Sequence, residues 1–437
     1  MMRLLPIIFF LVCASIQAQT VIIKGRVIDE LDLEPIKSVT VTMASNKGFE
    51  MKTNDKGEFV FKYTYTGEDK LYFKHVGFQK TEVSITKRKI RRAVKDTVYI
   101  NVRMPWFKLD AFEVKNPAIP DTVFNRDTIS VSDYAFYSDH RFVMLVYSQN
   151  LRRGSEIVLV DREQNILDQV VVPDQAERLY KDYLGRVTVI CKESVYRVVT
   201  FGNDMELQRL DPDLFYRYTV PIVDTANQFI YYSTYNPDYP AFEYYAYDPK
   251  DSSRTEIMKV EDKPLMELYR AEYKYVDGKE KLWAYRKERE TGIDKEIWIG
   301  LKYFTQSLYY QPLYAPLFVV DDEVVVFDHY ADQMYLYGDN HTLLDSTVIY
   351  YHKMKGKQEW DNLLIQDEKN DKIYTVFLSG GYHVLAEVDL ETGEIGQGHK
   401  LFFKYAENIH IKNGYIYYIY RPFESAQKKF LYKEKLG

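Results

Sequence analysis

Among the residue types that carry out acid–base, nucleophilic and metal chemistry, the chain offers one tight grouping, Asp328-His329-Tyr330-Ala331-Asp332. A zinc site would need a second histidine a few residues further on. None stands there, and the remaining histidines are scattered, so the segment reads as a turn. Cys191 closes the β-branched run Val187-Thr188-Val189-Ile190-Cys191 and has only Lys192 as a basic neighbour. That setting describes a small buried hydrophobe, not an activated thiol. No G-x-S-x-G, H-E-x-x-H, phosphate-loop or calcium-loop pattern occurs. No catalytic, metal or cofactor-binding residue is assigned, and the chain reads as non-enzymatic. A repeat enzyme that gathers its groups from many units would also lack linear motifs, so a hydrolase or lyase stays open as an alternative.

Contact chemistry is better represented. The run Lys87, Arg88, Lys89, Ile90, Arg91, Arg92, Ala93, Val94, Lys95 is the one dense basic strip, read either as a solvated loop or edge or as a docking strip for an acidic protein face or lipid phosphates. Tyr235, Tyr239, Tyr309, Tyr310 and Tyr314 stand beside prolines in expected loops, where tyrosine gives contact area at low entropy cost. The other tyrosines fall in expected strands and read as packing. Trp106, Trp283, Trp298 and Trp360 are the only tryptophans, and three of them fall in expected strands, which counts against a sugar-stacking platform. A net charge of −6 and a pI near 5.9 argue against nucleic acid as the main partner.

The elements that must position these residues are strands. With 40 Tyr and 24 Phe, and long helical periodicities nearly absent, the chain reads as all-β. Arg3, the apolar stretch Leu4–Val12 and the small residues through Ala18 have the layout of a signal peptide over residues 1–18, implying export to the periplasm. Val12 before Cys13 disfavours a lipidated start, and the apolar run is too short to span a bilayer. Loss of the leader leaves Cys191 as the lone cysteine. Asn116-Pro117-Ala118-Ile119-Pro120 marks a boundary: residues 20–105 form a small domain, 106–120 a linker, and 121–437 a larger closed β-architecture.

In that larger part, strand-turn-strand units recur about every 40–50 residues, the period of propeller blades. Units starting near 133, 175, 215, 267, 312, 359 and 404 give about seven blades, with six or eight compatible with the spacing, and Asp127–Val131 is expected to close the ring. A large sandwich or a pair of sandwiches is the alternative.

The small domain carries a specific set of residues: Gly25, Val27 and Asp29; Pro35; Thr53, Asn54, Gly57 and Phe59; Val76, Gly77 and Phe78. As a set they resemble the carboxypeptidase regulatory-like domain, a transthyretin-type β-sandwich common in Bacteroidota envelope proteins. The resemblance covers roughly a fifth of the chain. It implies an envelope setting and a non-catalytic accessory role; the shared Gly and Asp are expected in turns, and no active site is carried over. Leu109–Val114 looks like the linker that follows this domain in outer-membrane receptors, but the chain is too short for a plug and barrel. A similar pairing of propeller and regulatory-like domain occurs in a periplasmic component of the type IX secretion apparatus, whose tetratricopeptide and peptidoglycan-binding regions are missing here. The expectation is a non-enzymatic scaffold or accessory subunit of an envelope complex at the outer membrane, with no transmembrane segment in the mature chain; a glycan- or peptide-binding protein of nutrient uptake is the alternative.

Overall fold

The computed structural model describes residues 19–46, 48–106, 119–138, 141–306, 310–354, 358–422 and 428–436. The leader with Cys13, the segment Leu109–Val114 and Tyr309 lie outside the described residues. The chain divides into two compact units, residues 1–108 and 109–437.

The first unit is a β-sandwich. Gln19–Asp29 runs between Glu58–Tyr65, antiparallel to it, and Thr97–Met104, parallel to it. The second sheet has the order Glu50–Lys52, Thr40–Met43, Asp69–Lys74, Thr81–Ile85. Strict alternation drives the packing: Val21, Ile23, Val27, Val98, Ile100 and Val102 are buried while their neighbours along the strands face water. Phe59 meets Phe73 across the layers at 5.4 Å. Of the glycines expected in turns, Gly57 is in one, with φ +68°. Gly25 is not: it lies mid-strand, where an added Cβ would fall 1.9 Å from the Ile100 carbonyl oxygen. Close strand packing, not turn geometry, demands it. Asp29 accepts hydrogen bonds from Leu31 N at 2.7 Å and Trp106 Nε1 at 2.9 Å, tying the first strand to the domain's last described residue.

Among the described residues the second unit contains six four-stranded antiparallel sheets, five of them simple meanders in chain order and the sixth made of three C-terminal strands completed by Asp121–Phe124. Their first strands are Ser130–Phe136, Ala176–Lys181, Ile222–Ala226, Leu317–Val320, Glu359–Asp367 and Glu407–Lys412. Sheets 1 and 2, 3 and 4, 4 and 5, and 5 and 6 share apolar clusters, and the sixth packs back on the first through Phe124, Val131, Met144, Ile419 and Leu431. This is a β-propeller of six blades, the lower of the counts its spacing allows. The unit expected near 267 is helical, and the ring is closed by Asp121–Phe124 pairing with Phe430–Lys435, not by Asp127–Val131. Ser130 and Val131 instead begin the first strand of blade 1.

Three helices, Lys263–Glu272, Gly278–Thr291 and Lys295–Phe304, stand between blades 3 and 4. Their starts are set by side-chain caps: Asp262 accepts from Leu265 N at 2.9 Å, Asp277 from Glu280 N at 2.9 Å and Asp294 from Glu296 N at 2.9 Å. Met266, Tyr269 and Ile297 bury one face of the insertion against Ala241 of blade 3. Among the described residues no helix is long and apolar enough to cross a membrane.

Candidate functional site

The basic strip is a short helix and its exit. Ile90, 2% exposed, anchors Lys87–Arg91 to the sandwich, and this forces Lys87, Arg88, Lys89, Arg91, Arg92 and Lys95 outward. Lys89 Nζ donates to the Ser84 carbonyl at 2.8 Å. The strip adjoins the outer face of the three-stranded sheet, because Ile22 N donates to Asp96 O at 2.8 Å. That face exposes Lys24, Arg26, Lys62 and Arg103 against the single acid Glu58, with Ile22, Val60 and Tyr99 exposed among them. Lys24 stands in register with Val60 on one side and Tyr99 on the other. Residues 1–108 carry 19 Lys and Arg against 11 Asp and Glu, whereas residues 109–437 carry 39 against 53. The overall charge of −6 thus hides a basic sandwich and an acidic propeller.

The loop tyrosines serve different ends. Tyr314 is an interior strut: its hydroxyl accepts from Leu364 N at 2.7 Å, its N donates to the Tyr330 hydroxyl at 2.8 Å and its carbonyl meets His329 Nδ1 at 3.0 Å. Tyr239 and Tyr310 pack against the buried face of the helical insertion, and the Tyr310 hydroxyl donates to Pro237 O at 2.6 Å. Tyr235 is the most open, standing edge-on to Phe242 at 5.4 Å.

Between the insertion and blade 3 lies a pocket of about 680 Å³. Tyr239, Phe242, Ile293 and Leu301 supply its apolar wall, together with Trp283 and Trp298, whose rings meet at 6.2 Å and 82°. Both tryptophans are on helices, which removes the strand placement that counted against an aromatic platform. The caps at Asp262, Asp277 and Asp294 and the stop at Gly292 were the available sequence signals for these helices.

A second cavity, about 800 Å³, is lined by first strands of blades 1, 2, 5 and 6. Its polar groups staple blades together. Asp133 accepts from Leu179 N of blade 2 at 2.7 Å and from Asn408 Nδ2 of blade 6 at 3.2 Å; burial raises its carboxyl and these bonds oppose the rise. His410 is pushed down to about 4 by burial and then by the Lys181 charge, so it is neutral at pH 7. Lys181 lies 3.6 Å from Glu368.

The Asp328–Asp332 segment is a turn whose acids are committed. Asp328 Oδ1 accepts from Tyr330 N and Ala331 N at 3.0 and 3.1 Å. Asp332 holds His352 at 3.1 Å and Lys353. His329 donates from Nδ1 to Tyr314 O and accepts at Nε2 from the Tyr351 hydroxyl at 2.8 Å, an assignment of the proton fixed by the carbonyl partner. Among the described residues no group of three His, Cys, Asp or Glu is placed to hold a metal ion.

Residues 23–101 match the family model of the CarboxypepD_reg-like domain. The match spans the sandwich and stops short of the propeller. No curated protein matches the chain. Similar solved structures include a catalytically inactive virginiamycin B lyase from Staphylococcus aureus with quinupristin: 11% identity, 73% of this chain and 88% of that one, TM-score 0.32. An oligogalacturonate lyase in complex with manganese shares 9% identity over 73% of this chain and 82% of its own, TM-score 0.34. An oligogalacturonate lyase from Vibrio parahaemolyticus shares 8% over 71% and 77%, TM-score 0.32. No activity is carried over from them.

Proposed function

We propose that the chain is a non-enzymatic accessory subunit of a cell-envelope complex, exported to the periplasm and docked at the outer membrane through the basic face of its sandwich. The observation that carries this reading is that face itself. Four strand cations, the helix strip and three exposed apolar side chains adjoin on one domain whose charge is opposite to that of the propeller. Arginine and tyrosine among aliphatic side chains suit a protein interface, and clustered cations steer an acidic partner. The cavity lined by blades 1, 2, 5 and 6 fits the same reading, since its Asp133 carboxylate is engaged by three donors from blades 1, 2 and 6.

The test is purification from native envelopes in mild detergent, comparing the wild type with Arg88→Glu/Arg91→Glu/Arg92→Glu. These side chains are exposed, so the fold is retained. The variant is expected to lose its associated complex, with apparent affinity about tenfold weaker at low salt. Equal recovery of the same partner by both proteins would remove the basic strip from the docking surface.

A further inference from the structure

We propose that the pocket between the helical insertion and blade 3 binds a neutral saccharide. The insertion interrupts an otherwise regular run of blades, and in repeat folds such departures often carry the binding face. Its volume, about 680 Å³, is that of a small-molecule site.

The wall chemistry selects the ligand. Trp283, 38% exposed, and Trp298 form a right-angled corner of two indoles. The face of an aromatic ring is electron-rich and attracts the polarised C–H groups on one side of a sugar ring. Around that corner stand Asn236, Asp238, Glu243 and Gln306, groups that match ring hydroxyls as donors and acceptors. Asn236 Oδ1 accepts from Asp238 N at 3.0 Å, but its Nδ2, the Asp238 carboxylate and the Gln306 amide have no hydrogen-bond partner among the described residues. An apolar peptide side chain would leave all three unused. A sugar uses both the rings and the polar rim.

The charge balance points to a neutral sugar. Lys259 is paired with Glu261 at 3.0 Å and Lys302 with Glu280, so each has an acid beside it that offsets its attraction for a uronate; Lys302 also stands 5.8 Å over the Trp283 ring and Lys287 5.9 Å over the Trp298 ring, where a sugar would have to displace them. Asp238 and Glu243 would repel one.

This inference does not rest on the docking of the sandwich. The full chain is titrated with cellohexaose, xylohexaose, maltohexaose, N-acetylchitohexaose and hexagalacturonic acid, following tryptophan fluorescence and heat. At least one neutral sugar is expected to saturate the protein and shift its fluorescence. Trp283→Ala and Asp238→Ala are each expected to weaken binding about tenfold or more. Asp238 is on an exposed loop, so its variant keeps the test sound if removal of Trp283 disturbs the insertion. The Arg88, Arg91 and Arg92 reversals are expected to leave sugar binding unchanged, which separates this outcome from that of the docking test. Failure of every neutral sugar to bind, binding that survives both pocket substitutions, or preference for hexagalacturonic acid would overturn the proposal.

Discussion

His329 shows how much of this molecule's polar chemistry is spent on structure. Its ring is buried between Tyr314 O and the Tyr351 hydroxyl, tilted at 43° to Trp360 with the ring centres 4.5 Å apart, and burial, then the charge of His352, pushes its pKa down to about 3. The unfolded chain binds that proton near 6.5, more tightly than the folded protein. Stability from neutral His329 is therefore complete above pH 6.5 and is lost as pH falls toward 3. His410 adds to the same slope. Urea denaturation should show a loss on the order of 5 kcal/mol between pH 7 and pH 4.5, about half of it from each histidine. His329→Gln should be less stable at pH 7.5 and flatter below 6.5; an unchanged slope would contradict the assignment. Cys191 makes a simpler case. It is buried, and burial raises its thiol to about 11, so stability from the neutral thiol is lost only as pH rises from 9 toward 11. Cys191→Ser should cost less than about 2 kcal/mol, and a loss in the range of a severed disulfide, about 2–5 kcal/mol, would contradict a lone thiol. The run of β-branched residues before Cys191 made its burial legible in the sequence. The partners of His329 were not legible, because Tyr314 and Tyr351 reach it from separate connections.

At the scale of elements, the strand ladder was readable wherever alternation was strict. Tyr382–Val388 and the run Lys372–Phe377 appear as strands at or near their expected limits. The insertion was not readable in the same way. Its second helix is polar nearly all round, burying only Ala284, so no apolar periodicity marks it, and only the caps and Gly292 betray it. That stretch is about one blade long, so its spacing alone matches a blade, whereas Trp283 and Trp298 stand on helices. The closing strand lies a few residues before the expected one for a similar reason: Asp121–Phe124 and Asp127–Val131 are both short, and only the register with Phe430–Lys435 distinguishes them. Closure gives the first of these strands unusual weight. Phe124 is fully buried at the junction of blades 6 and 1. Phe124→Ala should cost about 3–5 kcal/mol in chemical denaturation, as for other buried aromatics. A loss below about 1 kcal/mol would mean that the ring does not depend on this strand.

At the scale of the whole molecule, the two units have opposite charge and different surface chemistry. The sandwich presents cations and an exposed tyrosine on a flat sheet, and the propeller is acidic with an aromatic pocket on its insertion. The basic strip was legible as a run of residue types. Its outward display was not, because that depends on Ile90 being buried beneath it and on the sheet face it adjoins. Docking is the function proposed for this chain. The most direct measurement is the size of the particle it forms in native envelope extracts at low and high salt, with the same fractions assayed for turnover of glycans and peptides. A large particle at low salt, release of the chain at high salt and no turnover are expected. A chain that migrates alone at low salt and degrades a glycan or peptide would contradict the docking proposal.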